Sequence, residues 1–163
     1  MKATELRIGN YVWENYSGEM IIRSIIYNSP VTTHPKDNGS HTIHLSKTLK
    51  LPICGYDISA IKPIPITEEW LIKLGFEFKY NPTPSELILH YWIIKLDSNL
   101  YLKIFKDNSF KLCDYNSTTN DSIRLQNANS IDLRDDGNDK IKHIHQLQNL
   151  YFALTNKELL CNG

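Results

Sequence analysis

Six histidines, three cysteines and an acidic stretch near residue 135 are the groups in this 163-residue chain that can bind a metal or attack a substrate. His143 and His145 share a face only if both lie in a strand, and a helix beginning at His145 separates them. His41 and His44, three apart, fall on opposite faces of a strand. No neighbouring Cys, Asp or Glu completes either set, so no zinc or iron site is expected. Asp132, Asp135, Asp136, Gly137 and Asp139 imitate a calcium loop. In the register starting at Asp132, however, Arg134 and His143 fall where oxygen ligands are required, so a solvated hairpin turn is expected instead. Cys54, Cys113 and Cys161 are odd in number, far apart and in no CxxC pair, the pattern of reduced thiols in a cytosolic protein. There is no Gly-x-Ser-x-Gly elbow and no Gly-rich phosphate loop. The expectation is a non-enzymatic protein with no catalytic residue, no metal and no cofactor.

Binding chemistry has more to work with. Over residues 145–154 a helical wheel places Leu147, Leu150, Tyr151 and Leu154 on one side, a core face. His145, Gln148, Asn149 and Phe152 occupy the other, where an aromatic ring sits among amides and an imidazole. Two readings of that second face stand side by side. In one, it is buried and its amides bond neighbouring backbone. In the other, His145, Gln148, Asn149 and Phe152 form a ligand-binding surface. A separate set, Tyr91, Trp92, Tyr101, Phe105 and Tyr115 with Lys95, Lys103, Lys106 and Lys111, can stack and clamp a nucleic-acid strand on an open sheet. It can equally be core aromatics with lysines turned to water. Lys+Arg and Asp+Glu balance at 18 each, which favours the core reading over nucleic-acid binding.

The elements that must position these groups follow from turn chemistry and periodicity. The 41% hydrophobic and 22% charged composition is that of a globular domain. Strands are expected at residues 6–13 and 20–27 across a Ser17-Gly18-Glu19 turn, then at 41–45 and 56–61, with residues 28–40 a loop. Lys62-Pro-Ile-Pro-Ile66 is extended. Thr67 caps a helix over 67–74 that Gly75 stops. Strands at 76–80, 86–96, 100–105, 110–115, 122–126, 131–134 and 141–144 then make an antiparallel meander, with Asp135–Asn138 a hairpin turn. A last helix runs over 145–154, and Thr155 with Glu158 has the spacing to cap another. The fold class is therefore α+β: a small barrel-like β module over residues 1–63, then residues 64–163 as an antiparallel meander covered by helices 67–74 and 145–154. The two parts can form one compact body. No apolar run spans a bilayer and Met1–Glu5 lacks a signal-peptide core, so a cytoplasmic location is expected.

Three segments, Leu6-Arg-Ile-Gly-Asn10, Pro63-Ile-Pro-Ile-Thr-Glu-Glu-Trp-Leu-Ile-Lys-Leu-Gly-Phe76 and His145-Gln-Leu-Gln-Asn-Leu-Tyr-Phe-Ala-Leu-Thr155, occur in order. Together they resemble an uncharacterised family of small proteins encoded by Bacteroidota and by their phages and prophages. The family more often has Gly after the Ala-Leu-Thr stretch; Asn156 stands there here and also tolerates a left-handed cap. The resemblance implies genomic context, not mechanism. Taken with the absence of catalytic motifs and the polar-aromatic stripe near His145, it points to a phage or mobile-element binding protein acting in the bacterial cytoplasm, in one version an anti-defence protein that sequesters a nucleotide immune signal. The partner would be a nucleotide-like small molecule or a host protein, with a second copy of the chain also a candidate. The alternatives are a nucleic-acid-binding accessory domain and a host-protein interaction module.

Overall fold

The structure, a computed structural model, describes residues 2–27, 41–47, 54–81, 89–97, 100–106, 109–114, 130–132 and 141–161. The strands expected over 122–126 and the loop and turn expected over 28–40 and 135–138 lie outside those residues, as does Tyr115. The fold is α+β: the described residues form two five-stranded antiparallel sheets, one curled into a half-barrel, and two α-helices. The chain divides into two units, Met1–Ile66 with His143–Leu150, and Thr67–Lys142 with Tyr151–Gly163.

The first unit holds β1 (Tyr11–Glu14), β2 (Gly18–Tyr27), β3 (His41–Ser46), β4 (Cys54–Asp57) and β5 (Ile61–Lys62), in the order β4-β3-β2-β1-β5. Alternation directs Val12, Met20, Ile22, Ile43 and Leu45 inward, where they pack with Leu6 and Ile61. The β1–β2 turn is closed by a buried acid. Glu14 is 1% exposed, and its carboxylate accepts hydrogen bonds from the backbone N–H groups of Tyr16 (3.1 Å) and Ser17 (2.8 Å). Burial pushes that carboxyl up, but the bonds from Ser17, Tyr16 and Asn15 outweigh it and hold the group below its ordinary value. The strand expected over 56–61 is broken. Asp57 Oδ1 accepts from Ser59 N at 2.8 Å and starts a 3₁₀ turn over Ile58–Ala60. This lets β4 pair with β3 while β5 crosses to pair with β1.

The second unit opens with α1 (Glu68–Lys73), capped by Thr67 Oγ1 accepting from Trp70 N at 3.3 Å. Trp70 and Leu71 are buried on it. Gly75 ends the helix at φ 84°, a left-handed value that a side chain would strain. Then come β6 (Glu77–Asn81), β7 (Leu89–Lys95), β8 (Leu100–Phe105), β9 (Phe110–Asp114) and β10 (Ser130–Asp132), a simple meander in the order β10-β9-β8-β7-β6.

The expected strand at 141–144 is not formed. His143 makes one isolated bridge to Pro65, and α2 (Ile144–Thr155) begins at once. Its far end is closed by Asn156 at φ 54°, whose N–H donates to Phe152 O at 2.7 Å. No further helix starts there, because the Thr155 hydroxyl turns back to donate to Tyr151 O at 2.8 Å. The sequence pattern places all of this helix with the meander, whereas residues 143–150 group with the β module. The reason lies in what its polar face touches.

Candidate functional site

Within the first unit, the start of α2 is bound to the turn that leads into β1. Gly9 takes φ 91°, and its N–H donates to Ile22 O at 2.8 Å. That conformation leaves Gly9 O and Tyr11 N to be satisfied from elsewhere, and one side chain satisfies both. Gln148 Nε2 donates to Gly9 O at 3.1 Å, and Tyr11 N donates to Gln148 Oε1 at 2.8 Å. Asn149 extends the clamp, its Nδ2 donating to Glu5 O at 2.8 Å and its Oδ1 accepting from Asn10 Nδ2 at 3.0 Å. Asn10, fully buried, is held in turn by Arg7 N donating to its Oδ1 at 2.8 Å. Ile64 O accepts from Ile144 N at 2.8 Å. All three recognisable segments of the sequence therefore contribute to one structural joint.

This geometry assigns the four residues expected to bind a ligand. Gln148 is fully buried, and Gln148 and Asn149 have their amides on backbone and Asn10. Phe152 is half-buried and lies in the part of α2 that belongs to the second unit. His145 is 1% exposed, and among the described residues neither ring nitrogen has a hydrogen-bond partner. Its ring stacks on His143, centroids 5.7 Å apart and planes 13° from parallel. Burial, then the neighbouring His143, lowers its pKa to about 4, against a smaller opposing pull from Glu5. The expected core face is reapportioned. Ile144 and Leu147 are buried, whereas Leu150, Tyr151 and Leu154 are half-buried. The turn at 5–11 demands polar partners, so the Gln148 and Asn149 amides are turned toward it, Gln148 fully buried and Asn149 half-buried.

The second unit carries a different surface. On β6 and β7, Phe78 faces Trp92 and Tyr80 faces His90 as direct cross-strand partners. Phe78 contacts both His90 (5.5 Å between centroids) and Trp92 (5.1 Å), and Tyr80 meets His90 edge-on at 5.3 Å. Phe78 is 47% exposed and Tyr80 57%, so four rings form a cluster open to water. Alternation in Phe76–Tyr80 was enough to place Phe78 and Tyr80 on one face. The register that brings His90 and Trp92 beside them was not readable from the sequence.

The aromatics and lysines weighed for nucleic-acid binding separate differently from either expectation. Tyr91, Tyr101, Lys103, Phe105 and Lys111 share one face, and Trp92 lies on the other. Lys103 is 5% exposed, with its ammonium 4.7 Å from the Tyr91 ring centre. Burial lowers the Lys103 pKa, and burial raises that of Cys113 beside it. One hydroxyl–imidazole pair also exists. Ser24 Oγ and His44 Nδ1 lie 2.7 Å apart on facing strands, beside a bulge between Ile22 and Ser24. Gly55 makes room for that ring, since a Cβ there would sit 3.1 Å from His44 Cδ2. Among the described residues no carboxylate hydrogen-bonds the imidazole, and Asp57 is committed to Ser59, so the pair lacks an orienting third group.

Among the described residues no group of three His, Cys, Asp or Glu is placed to hold a metal ion. Nor is any helix there long and apolar enough to cross a membrane. No protein-family model, curated protein or solved structure matches this chain.

Proposed function

We propose that this chain is a non-enzymatic binding protein of phage or mobile-element kind that engages unpaired nucleobases, in single-stranded nucleic acid, on the Phe78–Tyr80–His90–Trp92 cluster. The observation that carries this reading is the exposure of Phe78, Tyr80 and His90, with half-buried Trp92 beside them, along the β6–β7 side of the sheet. An aromatic face left in water is suited to stacking on bases, which supplies about 1–3 kcal/mol per base without sequence preference. Rings set along two neighbouring strands favour an extended strand, which meets several of them at once, over a small ligand, which needs a concavity. The balanced charge of the chain sets a second expectation. Stacking rather than phosphate contact dominates, so binding weakens only gently with salt.

The test is fluorescence anisotropy with short labelled single-stranded DNA and RNA, alongside the matching duplexes. Single strands are expected to bind, with Trp92 emission quenched, and Phe78→Ala or Tyr80→Ala is expected to weaken binding roughly tenfold. No anisotropy change at low salt overturns the reading. Thermal-shift titration with free and cyclic nucleotides forms a second arm. A shift there, without strand binding, would return the function to sequestration of a nucleotide signal.

A further inference from the structure

Among the described residues four strands end the two sheets: β4, β5, β6 and β10. Edges of this kind are normally blunted by shortness, bulges, proline or a bias of charge. Three of these are short, at four, two and three residues, and β4 runs straight into a 3₁₀ turn. β6 is the exception. Its five residues pair with β7 in unbroken register from Glu77 to Asn81, with no bulge and no proline. Glu77, Phe78, Lys79 and Tyr80 are all exposed.

The order of residues on that edge is self-complementary. Two copies of β6 placed antiparallel about a two-fold axis at Phe78 set Glu77 opposite the other copy's Lys79, twice. Moving the axis one residue either way sets Lys79 against Lys79 or Glu77 against Glu77, which cross-strand pairing disfavours. Only one register is therefore matched in charge, and in it the two Phe78 rings meet on the face already occupied by Tyr80 and Trp92. Within one strand Glu77 and Lys79 already form an ion pair of 2.7 Å, so both heads lie on the same face, as this arrangement needs.

We infer that β6 is a homodimer edge: two copies of this chain join antiparallel through Glu77–Asn81, centred on Phe78, into one continuous ten-stranded sheet. The inference does not depend on nucleobase binding: it rests on the order of charges along β6, and its test reads self-association with no nucleic acid present. A seam of one short strand pair buries less than a permanent dimer does, so the association is reversible and concentration-dependent.

Sedimentation velocity across a wide concentration range tests it, with circular dichroism confirming that each variant is folded. The wild-type chain is expected to pass from monomer to dimer as concentration rises. Glu77→Lys alone and Lys79→Glu alone each set like charges opposite one another at two symmetric places, and each should raise the dimer Kd roughly tenfold or more. The double variant E77K/K79E restores opposite charges in the same register and should recover the wild-type Kd. A wild-type chain that stays monomeric at the highest concentration overturns the inference. So does a dimer insensitive to the single changes, or one that the double exchange fails to restore.

Discussion

Replacing His145 by leucine should stabilise the protein, and stabilise it more in acid. The imidazole is 1% exposed and neither ring nitrogen has a hydrogen-bond partner among the described residues, so the native state carries a desolvated polar ring. Leucine is close in volume and a better helix former, and no hydrogen bond is lost on substitution. Near neutral pH the gain should be about 1–3 kcal/mol. The acid dependence adds to this. A free histidine takes up a proton near pH 6.5, but the buried ring does so only near 4. Between those values the unfolded chain holds the extra proton, so wild-type stability falls as pH drops through that window and levels off below it. The interval is worth on the order of 3 kcal/mol at most. The charges acting on the ring are those of His143, Glu5 and the amino terminus, and all three persist in the variant. Urea unfolding of both proteins at about pH 7.5 and about pH 4.5 measures the two terms separately. A variant less stable than wild type near neutrality would mean that the ring nitrogens are held by bonds whose loss outweighs burial. A stability difference unchanged by acid would refute the assignment of the depressed pKa.

Gln148→Glu should show the opposite pH trend. A carboxylate still accepts from Tyr11 N but faces Gly9 O with no proton to give, so burial and that oxygen raise its folded pKa. The variant should be most stable below the pKa of a free glutamate and lose stability as pH rises through the raised folded value, read by the same urea titrations. Asn156→Val should destabilise by about 1–2 kcal/mol, because a β-branched residue resists the left-handed φ of 54°. Asn156→Gly should stay within about 0.5 kcal/mol of wild type in thermal melts.

The parts of the fold legible in sequence were those governed by local chemistry. Thr67 and Gly75 delimit α1 because capping hydroxyls and left-handed glycines act within one turn. Alternation in Leu100–Phe105 placed Tyr101, Lys103 and Phe105 on one face, as β8 has them. What could not be read depended on partners far along the chain. A wheel sorts α2 by hydrophobicity, so it sets Leu150, Tyr151 and Leu154 inside. The turn at Gly9 instead selects Gln148 and Asn149, because its backbone groups require hydrogen bonds that a leucine cannot supply. The aromatic cluster was half legible: strand parity pairs Phe78 with Tyr80, but the β6–β7 register decides that His90 and Trp92 join them.

The clamp between Gly9 and Gln148 joins residues 139 positions apart. As the chain leaves the ribosome, Gly9 O and Tyr11 N emerge 139 and 137 residues before the side chain that pairs with both. The β module can pair its strands in the interval, but its first turn stays open until residue 148 arrives and a very long loop closes. Residues 67–142 lie between the two halves of the first unit and can pair before it is complete. The turn at Gly9 is thus locked only after the residues that intervene between it and Gln148 have been made.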